Sequence, residues 1–292
     1  MDDLRAEVDW SKERIDADYD ARATVGDRFP EEMGRYRAAT EVQKAVWLKH
    51  GDVEYDAESG KTLDLYAPEG AGPFPVFIFI HGGYWRALGK EDSGMMAGVL
   101  AENGIATAVI DYDLAPNVTL TEIVRQVRAA TAFLWQNARR LNLDPDRIHV
   151  GGSSAGGQLA AMVLAMGWQV DAGLPERPVK SGALFSGLYE LAPISRSFAQ
   201  AWLSLTEDEV SSLSPMRHLP PADIPIAIIW ADGEPAGFHR QSRTFAKLAR
   251  EAGNGQVSET TVTGRNHFNL LMELADPGSE ATRLLLGLIG KG

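Results

Sequence analysis

Val150-Gly151-Gly152-Ser153-Ser154-Ala155-Gly156-Gly157 stands between a strand pattern, Arg147-Ile148-His149-Val150, and a helical pattern that starts at Ala155. Inside it, Gly152-Ser153-Ser154-Ala155-Gly156 reads G-x-S-x-G. A serine set on a sharp strand-to-helix turn holds a strained backbone, and only small residues two places either side leave room for that turn. The following helix aims its N-terminal N–H groups at the reacting centre, where negative charge develops. Ser154 is therefore the candidate nucleophile. Ser153 stands in a G-x-S-x-A frame and is the weaker choice. A phosphate-binding loop would end in G-K-[ST], and Gly156-Gly157-Gln158 has no lysine. A dinucleotide fingerprint would need glycine where Ser153 stands, on a strand at the start of its fold.

Upstream, Pro75-Val76-Phe77-Ile78-Phe79-Ile80 is apolar without alternation and runs into His81-Gly82-Gly83. Such a run suits a parallel strand covered by helices on both faces. Short strands are expected at Val53–Tyr55, Leu63–Tyr66, Ile105–Asp111, Gly182–Phe185, Ile224–Trp230 and Val257–Val262. Helical patterns fall near residues 91–103, 121–140, 155–166, 198–205, 238–252 and 278–289. Strands that alternate with helices predict an α/β fold, a mostly parallel doubly wound sheet. Residues 1–48 carry helical spacing before the first strand and read as an N-terminal helical cap, with residues 49–292 as the catalytic domain.

The chain has 292 residues, 45% of them hydrophobic, and no cysteine. A chain of that length buries roughly three quarters of its unfolded surface, so a full core needs no staples. The missing cysteines exclude disulfides, thiolate metal sites and a cysteine nucleophile. A formal net charge of −12 argues against nucleic acid or an anionic membrane as partner, since both need a basic footprint. Met1-Asp2-Asp3-Leu4-Arg5 has no apolar run after it, so neither a signal peptide nor a membrane span is expected. These features suit a cytoplasmic protein, and they leave room for a homodimer.

A serine nucleophile needs a base, an acid and an oxyanion hole. In this class the triad runs Ser, then acid, then His. Of six histidines, His239 and His267 come late enough. His267, in Thr263-Gly264-Arg265-Asn266-His267-Phe268, follows the last expected strand on a loop and is the preferred base; His239 falls inside a helical stretch. The acid should follow the strand ending at Trp230, where Ala231-Asp232-Gly233-Glu234 offers Glu234 and, as the alternative, Asp232. His81-Gly82-Gly83-Tyr84-Trp85 is the glycine loop that supplies half an oxyanion hole, so the donors are expected from the N–H groups of Gly83, Tyr84 and Ala155. The side chains of Tyr84 and Trp85 are expected to wall the acyl pocket, with core packing as the competing role.

These residues resemble the kynurenine formamidase (arylformamidase) branch of the α/β-hydrolases, near the hormone-sensitive-lipase-like esterases. His81-Gly82-Gly83-Tyr84-Trp85, Gly152-Ser153-Ser154-Ala155-Gly156-Gly157, Phe238-His239-Arg240-Gln241-Ser242 and Asn266-His267-Phe268 match its motifs. Tyr19-Asp20-Ala21-Arg22, Asp111-Tyr112-Asp113-Leu114-Ala115-Pro116 and Ser186-Gly187-Leu188-Tyr189-Glu190-Leu191 are weaker echoes. The family places Asp four residues before that Phe, and this chain has Glu234 there. The resemblance implies a serine hydrolase without cofactor or metal. It would cleave a formyl group from N-formylkynurenine, a product of tryptophan breakdown, or from another aryl formamide. A short-chain carboxylesterase is the runner-up. A non-catalytic small-molecule receptor on the same fold is the rival outside enzymology, but such a receptor would be expected to lose a triad member.

Overall fold

A computed structural model describes residues 4–290; Met1-Asp2-Asp3, on which part of the N-terminal expectation rests, lies outside them. Among the described residues eight strands form one sheet. They are β1 Leu48–Asp56, β2 Lys61–Tyr66, β3 Phe74–Ile80, β4 Ala106–Ile110, β5 Leu143–Ser153, β6 Val179–Phe185, β7 Ile226–Ala231 and β8 Val257–Val262. Their order is β1-β2-β4-β3-β5-β6-β7-β8. β2 pairs antiparallel with both β1 and β4, and the remaining pairs are parallel. The helices are α1 Lys12–Tyr19, α2 Phe29–Trp47, α3 Ala97–Glu102, α4 Leu120–Gln136, α5 Ala155–Leu164 and α6 Trp168–Asp171. Beyond them come α7 Gln200–Leu203, α8 Glu207–Leu213, α9 Ala236–Glu251, α10 Asn269–Met272 and α11 Glu280–Ile289.

β3 shows why the sheet is central. Successive strand side chains point to opposite faces. Val76, Ile78 and Ile80 pack in one core with residues of α4, α5 and α9. Phe77 and Phe79 pack in a second core with Tyr36, Leu100 and Leu285, from α2, α3 and α11. All five are fully buried. Each such side chain contributes roughly 1.5–3 kcal/mol by leaving water, which neither face could supply uncovered. His149 on β5 lies in the same interior, 2.8 Å from Ser181 Oγ. Burial pushes its pKa down to about 4, so it is a neutral core residue.

The chain lays β4 on one side of β3 and β5 on the other. Loops leaving adjacent strands in opposite directions open a crevice at the carboxyl ends, where ligands bind in open α/β sheets. Registers Ile80↔Gly152, Ser153↔Phe185, Ile229↔Phe185 and Ala231↔Val262 bring five strand ends to that edge.

Some elements differ from their expected spans. The helix expected over 91–103 is only α3; ahead of it, buried Lys90 lies 2.8 Å from buried Asp64 and 2.8 Å from exposed Asp52. The Gly94 N–H donates to Thr40 Oγ1. β1 starts at Leu48, five residues before its expected start, and α8 was not anticipated despite the Thr206/Glu209 capping box that opens it. Among the described residues no helix is long and apolar enough to cross a membrane.

The N-terminal helices are fastened beside the crevice. Buried Tyr19 donates to Glu7 (2.9 Å). Arg240 on α9 donates to Glu7 and Asp18, each at 2.6 Å. Gln241 Nε2 donates to Tyr19 Oη.

Candidate active site

Ser154 ends the β5 turn at φ 58°, ψ −118°, and α5 starts at the next residue. Its N–H donates to the Phe185 carbonyl (2.8 Å), which holds the turn against β6. A non-glycine residue in this region stores on the order of 1–3 kcal/mol, tolerated only where the surroundings enforce it. The flanking glycines enforce it: a Cβ on Gly156 would stand 2.0 Å from the Ile80 carbonyl oxygen, and one on Gly152 2.2 Å from that of Gly156. The G-x-S-x-G spacing is thus a steric requirement of backbone pressed on backbone.

The glycine loop after β3 lies over the same turn. Gly83 has φ 97°, and a Cβ there would meet the Ala87 carbonyl oxygen at 2.2 Å. Its own carbonyl accepts from the N–H groups of Arg86 and Ala87. Among the described residues the N–H groups of Gly83, Tyr84 and Ala155 find no acceptor in the protein, the state required of oxyanion donors. Trp202 Nε1 donates to the Tyr84 carbonyl (3.0 Å), and Tyr84 Oη donates to the Tyr19 carbonyl. Burial pushes the Tyr84 phenol pKa up, so it keeps the proton it donates. His81 stacks on Tyr112 with ring centres 4.1 Å apart and donates from Nδ1 to the Gly82 carbonyl. Burial pushes its pKa down; it is scaffold for the loop.

Trp85 corrects an expectation. Its side chain is fully buried and turns away from the cleft, donating from Nε1 to Gln158 Oε1 (3.1 Å). Gln158 in turn donates to the Leu213 carbonyl. Tyr84 and Trp85 both have positive φ, 51° and 55°, and the tight winding sends neighbouring side chains to different places. Tyr84 alone lines the cleft. Trp85→Ala is therefore expected to cost about 3–5 kcal/mol of stability, the range for truncating a buried aromatic, read as a lower urea midpoint. A wild-type midpoint with altered acyl selectivity would return Trp85 to the pocket wall.

The late histidines separate cleanly. His267 Nδ1 donates to Glu234 Oε1 (3.0 Å), which leaves Nε2 of the neutral ring to accept a proton. His239 accepts at Nδ1 from Trp230 Nε1 (3.1 Å) and donates from Nε2 to the Glu234 carbonyl (3.2 Å). Both its nitrogens are occupied. Asp232 is exposed, and its Oδ1 accepts from the N–H groups of Gly264 and Arg265 (2.8 and 3.3 Å); it shapes the turn before His267 without touching the ring. The histidine loop is held by Asn266, whose Oδ1 accepts from Phe268 and Asn269. Tyr36 Oη fixes it further by donating to the Phe268 carbonyl (2.6 Å).

Ser154 and His267 line one cleft of about 560 Å³, within the range of small-molecule sites. Its aromatic walls include Tyr84, Phe198, Trp202 and Phe268, and Phe29 and Met33 close it from the N-terminal helices. Asp20, Arg22 and Arg86 bring both signs of charge to it. Of these, Tyr84 is the wall residue the sequence singled out; Phe29, Met33, Phe198 and Trp202 carried no such signal, since they come from segments far apart along the chain. Ser186, whose hydroxyl lies 2.5 Å from Glu234 Oε1, was likewise visible only as part of a weak family echo.

Comparisons with known proteins give the chain its relatives. Residues 63–175 match the BD-FAE family model. The kynurenine formamidase of Danio rerio is 31% identical over 297 residues, covering 97% of this chain and 99% of that protein. A crystal structure from Silicibacter sp. TM1040, provisionally named a thioesterase, has a TM-score of 0.79 at 24% identity over 94% of this chain and 98% of that one. The hyperthermophilic esterase of Pyrobaculum calidifontis has a TM-score of 0.74 at 18% identity over 99% and 97%. At those identities the two structures show the shared fold alone.

Proposed function

The chain belongs to the kynurenine formamidase family of α/β-hydrolases, and from there we propose that it removes the formyl group of an aryl formamide such as N-formylkynurenine through an acyl-Ser154 intermediate. The observation that carries this reading is the hydrogen bond from His267 Nδ1 to Glu234 (3.0 Å) beside a cleft that Ser154 also lines. His267 Nε2 takes the Ser154 proton as the hydroxyl attacks the formyl carbon. Negative charge on the formyl oxygen is met by the N–H groups of Gly83, Tyr84 and Ala155, each aligned donor lowering the barrier by about 3 kcal/mol. Glu234 stabilises the imidazolium, which passes its proton to the leaving arylamine nitrogen. Water then attacks the formyl ester by the same route, releasing formate and restoring Ser154.

The cleft supports an aromatic amino-acid substrate. Its rings suit an aryl group, and Arg22 and Arg86 with Asp20 offer opposite charges to a carboxylate and an ammonium. The partner is a small molecule. We place the protein in the cytoplasm on the acidic, cysteine-free composition.

The acyl group separates this reading from a short-chain esterase. Tyr84 stands next to the oxyanion glycines, so each added methylene must find space beside its ring. One methylene in a packed pocket changes discrimination by about 1–3 kcal/mol. With one arylamine leaving group, kcat/KM is expected to fall steeply from formyl through acetyl to butyryl. N-Formylkynurenine is expected to outrun short p-nitrophenyl esters. A preference for butyryl over formyl would leave a carboxylesterase in its place.

A further inference from the structure

Glu234 has a hydrogen-bonding arrangement that the triad alone does not account for. Its side chain is fully buried, and Oε1 accepts two bonds, from His267 Nδ1 (3.0 Å) and from Ser186 Oγ (2.5 Å). Oε2 is buried with no partner among the described residues. A buried carboxylate needs donors to remain charged, and this one has two, both on the same oxygen. Ser186 is itself tightly placed. It follows the last residue of β6, is fully buried, sits at φ 50° and donates its N–H to the Ile229 carbonyl on β7 (2.8 Å). That bond ties the turn carrying Ser186 to the strand that leads to Glu234.

We infer that Ser186 is a positioning residue for the triad: its hydroxyl pins Glu234 Oε1 against His267. The inference rests on the reading of Glu234 as the triad acid. A glutamate has one more side-chain torsion than the aspartate usual at this place in the family. That torsion lets the carboxylate as a whole swing away from the histidine. A donor fixed by backbone on two strands removes that freedom. Supporting groups of this kind set how closely a catalytic group keeps its productive geometry.

The test compares Ser186→Ala and Ser186→Gly with wild type and Glu234→Gln, using p-nitrophenyl acetate, whose turnover needs the triad and not a formamide pocket. Glycine accepts φ 50° without strain, so that variant loses the hydroxyl on a backbone it tolerates. Losing a hydrogen bond to a charged group is expected to lower kcat about tenfold in both variants, with KM within about twofold. The low-field proton resonance of His267 Nδ1–H is expected to move in both. A role confined to folding would lower the melting temperature and leave kcat and that resonance unchanged. Unchanged kcat and resonance in both serine variants, with Glu234→Gln inactive, overturns the inference alone. A fully active Glu234→Gln overturns the triad reading, and the inference with it.

Discussion

Ser154→Ala is expected to lower kcat by about 10⁴- to 10⁶-fold, because the members of such a triad act as a unit. The fold should survive. The Ser154 side chain makes no helix-capping hydrogen bond, and the turn is imposed by the close approach of Gly152 and Gly156 to neighbouring carbonyls. Alanine meets the same positive φ with a side chain no larger than serine's. KM should change little, since the cleft walls and the N–H groups of Gly83, Tyr84 and Ala155 remain. Those donors and substrate binding would leave a residual rate over water of about 10³- to 10⁴-fold. Circular dichroism and melting temperature at wild-type values, with this loss in kcat, are the expected pair of results. Retained activity would move the nucleophile elsewhere.

Glu234→Gln is expected to cost kcat approaching about 10⁴-fold, the scale seen when a triad carboxylate becomes an amide. The amide loses the charge that stabilises the imidazolium. Its oxygen can still accept the hydrogens that Ser186 and His267 point at Oε1, with the NH₂ group at the unpartnered Oε2 place, so the expected loss comes from the missing charge. Asp232→Asn should cost little in kcat. That side chain is exposed and serves the N–H groups of Gly264 and Arg265, which an amide oxygen can still accept. Steady-state kinetics on both variants gives the ranking. The reverse order would transfer the acid's role to Asp232.

Parts of this site were legible because they are local. The elbow is a steric rule about five consecutive residues, and β3 is a run whose apolarity on both faces allows one kind of burial. His267 follows from chain order and its place after β8. Between Asp232 and Glu234, two carboxylates on one turn, spacing and resemblance favoured Glu234, and the hydrogen bond to His267 agrees with that preference. The rest depends on contacts that spacing does not encode. Trp85 and Tyr84 are neighbours with the same aromatic character, and only the winding of the loop sends one to the core and the other to the cleft. Ser186 meets Glu234 because β6 and β7 are adjacent in the sheet. Phe29, Met33 and Arg22 reach the cleft through the docking of the N-terminal helices. The start of β1, Leu48-Lys49-His50-Gly51-Asp52, is largely exposed edge strand, so it never needed the alternation that marks a half-buried strand.

The central claim is that chemistry passes through a covalent bond to Ser154. Peptide mapping by mass spectrometry after reaction with a fluorophosphonate probe tests it most directly. The expected result is one adduct, on Ser154, absent from Ser154→Ala and formed far more slowly in His267→Ala. An adduct on Ser153, or a wild-type protein that hydrolyses substrate while remaining unlabelled, would contradict the claim.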